Sequence, residues 1–204
     1  MASGTGDIAL GYSLNASGTY CFLTGYDITA TGAQSAGLGS FHTISGNYST
    51  ALNTGSTTTL YGELSHASYF FAARGDRKHF FVTARNNTAS TASTTLFLNG
   101  SSSTIDLPNN TCWTFTGKVT GATSGMGAVY SYTFSGCIYR GANAASTTMA
   151  ATVTPTVIFE SNAAADIAVT ADTSAGALKV AVTAADSTAT RWGCDLDVTV
   201  IGYP

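Results

Sequence analysis

Glycine recurs at seven-residue intervals through the first quarter of the chain, at Gly4, Gly11, Gly18, Gly25, Gly32, Gly39 and Gly46, and Asn53 takes the next beat. Asparagine shares glycine's tolerance of left-handed backbone, so each beat reads as a turn. Evenly spaced turns at so short a period mark a repeat architecture, in which one unit cannot bury a core alone and must stack on the next. That points to a fibre-like, oligomeric body rather than a catalytic pocket. The same spacing disfavours other periodic folds. Glycine costs about 1 kcal/mol at each helical position, the Leu, Ala, Glu and Lys content is too low for a coiled coil, and collagen needs glycine at every third residue.

With glycine as position one, position four holds Asp7, Leu14, Cys21, Ile28, Ser35, His42 and Ser49, and position six holds Ala9, Ala16, Leu23, Ala30, Gly37, Ile44 and Ala51. These residues are mostly small or apolar and lie two apart, which places both side chains on one face of a short strand. Position seven has a longer period: Leu10, Leu38 and Leu52 tend to alternate with small hydroxyl residues, Thr24 excepted. Two heptads then form one coil of a parallel β-roll with a narrow core. Ile28, Ala30 and Ile44 are expected inside, Thr29 and Thr43 outside, with coils about 4.8 Å apart.

These heptads resemble the head repeats of trimeric autotransporter adhesins, whose pattern G-x-x-S-x-A-x-G is matched by Gly46-Asn-Tyr-Ser49-Thr-Ala51-Leu and less fully by Gly25-Tyr-Asp-Ile28-Thr-Ala30-Thr-Gly32. Bacteriophage tail fibres share such repeats, with an S-H-A variant that Gly62-Glu-Leu-Ser65-His66-Ala67 matches, read here in register from Gly62 after a two-residue insertion. Gly62 thus joins the seven earlier glycines as a repeat turn. The resemblance covers roughly the first third of the chain. It implies an intertwined homotrimer in a virion, with other fibre, tail or baseplate proteins and a bacterial surface glycan or protein receptor as partners.

After Gly75 the heptads stop, so the expected organisation is a β-roll over 1–73 and a β-sandwich over 74–204. Ten strand-like runs follow, at 79–84, 94–98, 104–107, 112–120, 128–140, 147–153, 156–160, 167–171, 177–183 and 191–201, separated by Asn, Gly, Ser and Pro clusters. Many short strands at this spacing suit a sandwich. Alternation places Trp192, Cys194, Leu196, Val198 and Val200 on one face of the last strand, with Asp195 and Asp197 on the other. Trp113, Phe115 and Val119, then Tyr130, Tyr132, Phe134 and Ile138, and Leu178, Val180 and Val182, form comparable stripes. They are read as core or subunit interface rather than a sugar platform. This half also resembles phage fibre modules at Phe71-Ala-Ala-Arg-Gly75-Asp76, Leu107-Pro108-Asn109-Asn110, Gly176–Thr183 and Arg191-Trp192. There Gly-Asp is commonly followed by Ala-Gln; here Arg77-Lys78 follows.

Composition narrows the functional classes. Charged residues make up only 9% of the chain, hydrophobic residues 44%, and Phe and Tyr number 10 each. That fits an all-β protein with polar, uncharged surfaces rather than disorder. The net charge is −3 with no long basic run, so nucleic acid is not an expected partner. No stretch approaches eighteen apolar residues, so no membrane insertion is expected. MASGTGDIAL has neither a basic nor a long apolar segment, so no secretory leader is expected. The four scattered cysteines are read as reduced thiols, consistent with assembly in a bacterial host's cytoplasm, and a Cys112–Cys137 bridge is left open.

No catalytic, cofactor or metal site is expected. Arg74-Gly75-Asp76 spells an integrin tripeptide, but three residues recur easily by chance. Asp195 and Asp197 could pose as a glycosidase pair, yet two surface aspartates on an alternating strand are commoner. His42, His66 and His79 lack metal-ligand spacing, although a three-fold axis could bring copies of His42 or His66 together around an ion. The cluster Arg74, Arg77, Lys78 and His79 is read as a solvated junction. The function expected is non-catalytic attachment of a phage fibre to a host surface, through loops of the second domain. The rivals are a structural spacer or capsid-attached fibre, an adhesin-head fragment, and a depolymerase, for which no catalytic set is visible.

Overall fold

The structure, a computed structural model, describes Met1 to Tyr203. The described residues are all β apart from two 3₁₀ turns, and they divide into two compact units: Met1–Val82 with the strand end from Val198 onward, and Thr83–Asp197.

In the first unit β1 (Ile8–Ala16), β2 (Phe22–Ala30), β3 (Ala36–Ile44), β4 (Thr50–Thr54) and β6 (Leu64–Ala67) pair in parallel, with β5 (Thr57–Thr58) beside β3. Ile8 faces Phe22, Phe22 faces Ala36, Ala36 faces Thr50, and Thr50 faces Leu64, each step being fourteen residues. One coil is therefore two heptads. The register also runs unbroken past residue 60, so the two-residue insertion expected before Gly62 is absent. Leu60 takes the glycine position and Glu63 is a position-four residue.

From the second to the seventh heptad every residue at positions four and six is buried, Ile28, Ala30 and Ile44 among them, whereas Thr43 is exposed and Thr29 half-buried. Small polar residues suit this core because they satisfy corner carbonyls. The Ser35 and Ser49 hydroxyls donate to the carbonyls of Gly32 and Gly46, each three residues earlier, at 2.8 and 2.6 Å.

Position three is left-handed in every heptad, whereas position one has positive φ only in alternate heptads, at Gly11, Gly25, Gly39 and Asn53. Gly6, Ser13, Tyr20, Asp27, Gln34, Phe41, Tyr48, Gly55 and Gly62 all have φ between 51° and 82°. Position one needs glycine chiefly because stacked coils touch there. A Cβ on Gly11, Gly25 or Gly39 would lie within 2.0 Å of the carbonyl oxygen one coil on, and those on Gly18, Gly32 and Gly46 within 2.4 Å.

The solvated junction expected at 74–79 is instead largely packed. In β7 (Arg77–Thr88), which pairs antiparallel with β6, the Lys78 ammonium is buried. It pairs with Glu63 at 2.5 Å and donates to the Thr57 carbonyl at 2.7 Å. The other Glu63 oxygen accepts the Thr59 and Leu60 N–H groups. Glu63 at position four thus puts a charge inside the last coil, and Lys78 is the ion that satisfies it.

The second unit holds one sheet in the order β7, β16 (Thr190–Gly202), β10 (Thr111–Thr123), β11 (Val129–Arg140), β12 (Thr148–Met149), with β13 (Thr156–Glu160) also on β11. A second sheet joins β14 (Asp166–Asp172), β15 (Ala177–Thr183) and β8 (Thr94–Thr95), with β9 (Ile105–Asp106) on β15. The ten strand-like runs read from sequence correspond to β7 through β16. The stripes read from alternation on β10, β11, β15 and β16 are buried, whereas Val157, Ile158 and Phe159 of β13 are exposed. Trp192 stacks on Tyr130 at 5.2 Å, donates its indole N–H to the Thr88 hydroxyl at 3.0 Å, and covers Gly121, where a Cβ would strike its ring.

Candidate functional site

Three chain segments of the second unit meet around an open cleft of about 700 Å³. Asn87 and Thr88 come from the end of β7, Thr123 and Ser124 from the β10–β11 connection, and Thr190 and Arg191 from the start of β16. The connection turns through a 3₁₀ segment in which Gly125 and Met126 are both left-handed, at φ 66° and 58°. The Thr123 hydroxyl accepts the Ala128 N–H at 2.8 Å and closes the loop. Thr88 is anchored from behind by Trp192, so the aromatic core fixes one wall. Ser124, Arg191 and Met126 are all exposed. Amide, hydroxyl and guanidinium groups beside methyl and thioether surface can hydrogen-bond sugar hydroxyls and cover the apolar face of a pyranose.

A second exposed feature runs along one corner of the roll. Tyr12 stacks on Tyr26 at 5.6 Å, Tyr26 meets Phe41 edge-on at 5.3 Å, and Phe41 meets Phe70 at 6.3 Å. Arg74 lies over Phe41, pairs with Asp27 and donates to the His42 carbonyl. This disposes of the integrin reading of Arg74-Gly75-Asp76. Asp76 is buried, and its carboxylate accepts the N–H groups of Phe71, Ala72 and Ala73 at 2.7–2.9 Å. Burial alone would raise that carboxyl; the Ala73, Ala72 and Phe71 N–H groups outweigh it and hold Asp76 below the usual carboxylate range.

The remaining sequence candidates fall in separate places. His42 is buried in the roll core, where Nδ1 accepts the Ser56 N–H and Nε2 lies 3.2 Å from the Leu38 carbonyl. Burial, aided by nearby Arg74, holds this imidazole below its ordinary value despite those hydrogen bonds. His66 and His79 are brought together by the antiparallel pairing of β6 with β7, which spacing alone did not reveal. Asp195 and Asp197 lie on the outer face of β16. Cys112 and Cys137 have sulfurs 3.4 Å apart, unbonded, and burial together with Cys137 pushes the Cys112 thiol up to about 11. The cleft was not foreseen residue by residue, since its lining comes from strand ends far apart in the chain. The signal available was the polar run Thr123-Ser-Gly-Met126 between two strongly alternating strands.

No protein-family model matches this chain, nor does any curated protein. Among solved structures it is similar to the tailspike protein gp49 of Acinetobacter baumannii bacteriophage Fri1, a capsular polysaccharide depolymerase, at 9% identity and a TM-score of 0.37, covering 95% of this chain and 36% of that one. It is also similar to the tailspike protein of Acinetobacter baumannii phage AM24, at 9% identity and a TM-score of 0.31, covering 97% and 49%. This chain spans about a third to a half of the length of those tailspikes. Similarity at this level assigns it neither their fold nor their activity.

Proposed function

We propose that this chain is a component of a bacteriophage tail or virion fibre, a homotrimer whose second unit is a β-sandwich that holds a neutral glycan of the bacterial surface without cutting it. The observation that carries this reading is the second unit's cleft, where Asn87 and Arg191 at strand ends and Ser124 in the β10–β11 connection present hydrogen-bonding groups. The heptads' resemblance to fibre and adhesin repeats supplies the setting. Trimerisation is supported by an apolar stripe on the outer face of the roll. Ile8, Leu10, Phe22, Leu38 and Leu64 are all exposed, and the fourteen-residue register lines them up in two adjacent rows. Sister copies would cover it, and three linked copies make weak sugar contacts effective through avidity.

Binding of the purified chain to a panel of bacterial surface polysaccharides tests this. We expect retention of at least one neutral glycan, weakened about tenfold, or about 1.4 kcal/mol, by Arg191→Ala. A trimer mass is expected in light scattering. Release of oligosaccharides from a capsule or O-antigen preparation would overturn the non-catalytic reading. Failure to bind any envelope of the host would favour the structural spacer.

A further inference from the structure

We propose that His66 and His79 form a two-imidazole chelate for a first-row divalent cation of the zinc, nickel and copper class. The residues are thirteen apart in sequence and directly opposite one another on antiparallel β6 and β7. Nδ1 of His79 lies 3.0 Å from Nε2 of His66, with ring centroids 4.9 Å apart and ring planes at 57°. Imidazole nitrogens sit about 2.0–2.1 Å from zinc, so two of them on one ion stand about 3.0–3.4 Å apart for angles between square and tetrahedral. The existing separation already meets that requirement. Chelation requires the present hydrogen bond to give way and each ring to turn about χ2, a soft torsion.

The pair is held in place by what lies behind it. Ser65 and Phe80 are opposite one another in the same ladder and fully buried. A one-residue slip would turn them out to solvent, so the register that opposes the two histidines is fixed. Phe81 stands edge-on to His79 at 4.7 Å and braces one ring. Within one chain His66 is exposed and His79 half-buried, which leaves coordination positions beyond the pair open. A donor set of imidazoles selects borderline cations over calcium or magnesium, which take oxygen ligands. No three His, Cys, Asp or Glu side chains converge among the described residues, so the pair would hold the ion without a third protein ligand of these types, and the ion would be exchangeable.

Calorimetric titration of the whole chain with zinc chloride at pH 7.5 tests the proposal. The touching thiols of Cys112 and Cys137 are a rival ligand pair, so the titration is repeated in a Cys112→Ser, Cys137→Ser background. We expect one binding event that survives in that background and weakens at least tenfold in His66→Gln and in His79→Gln. His66→Gln changes an exposed side chain and should leave the circular dichroism spectrum unaltered. In the ring ¹⁵N spectrum, zinc should shift Nε2 of His66 and Nδ1 of His79. Absence of binding, binding that persists in His66→Gln, or binding that disappears with the cysteines would each overturn the assignment.

Discussion

The two units solve the problem of a lightly charged, serine- and threonine-rich chain in opposite ways. The roll builds order locally. Each coil rests on the next fourteen residues along, its core is largely Ala, Ser, Leu and Ile, and its tightest contacts are between backbones at glycine. The second unit builds order at long range. Trp192 bonds to Thr88, 104 residues away, and large aromatic side chains fill the interior, with glycine beneath them as floor space. Where side chains are small, backbone geometry sets stability; where they are large, cavities set it.

The largest effect is expected from Gly25→Ala. Its φ of 133° and a Cβ position 1.8 Å from the Gly39 carbonyl oxygen leave nothing that can yield except the coil stack. A loss of about 5 kcal/mol should appear in urea unfolding. Gly193 in β16 has open space around its Cβ position, so Gly193→Ala should stay within about 0.5 kcal/mol. Equal losses at the two sites would erase the distinction drawn here.

Trp192→Ala should cost about 3–5 kcal/mol through lost burial and a cavity, and in that background Thr88→Val should cost little more, because the indole donor to its hydroxyl is already gone. Lys78→Met should cost about 3 kcal/mol, because it leaves Glu63 charged and buried in the last coil, and Glu63→Gln, Lys78→Met together should cost less than the single change.

The smallest effect is the response to mild acid. His42 titrates lower in the folded roll than its ordinary 6.5, because burial disfavours the imidazolium. The unfolded chain therefore takes up its proton first as pH falls, and the His42 contribution, complete above about 6.5, is lost on the way down to the folded value. In the second unit Asp172 is held below its ordinary 3.8, led by the Ser174 hydroxyl, so its contribution persists until pH falls below that value. Hydrogen exchange at pH 5–6 should show the roll loosening before the second unit. Simultaneous loosening would break the comparison.

The heptads made the roll's inward set legible because positions four and six repeat in both spacing and size. They hid the left-handed position, since Ser13, Tyr20, Asp27, Gln34, Phe41 and Tyr48 share no side-chain chemistry. Their strained backbone is imposed by stacking rather than by local preference. Leu60 in a glycine's place disguised the continuing register and suggested an insertion. Lys78 and Glu63 were hidden because charge usually signals solvent, and here each ion is the other's environment. The second unit's stripes were legible from period-two alternation. Its cleft was not, because Asn87, Ser124 and Arg191 share a location only after strands distant in sequence have paired.

The glycine contacts at the two corners of each coil are not equivalent. Gly11, Gly25 and Gly39 bend a continuous strand at φ of 125–145°, whereas Gly18, Gly32 and Gly46 open a turn and keep ordinary φ. A gain or loss of seven residues would set one kind of corner against the other; a gain or loss of fourteen changes nothing but the number of coils. Such a chain can be lengthened by duplication in increments of about 4.8 Å, each step leaving every older contact intact. The roll is thus a ruler, and its graduations are what recombination between related genes can add or erase without an intermediate that fails to fold.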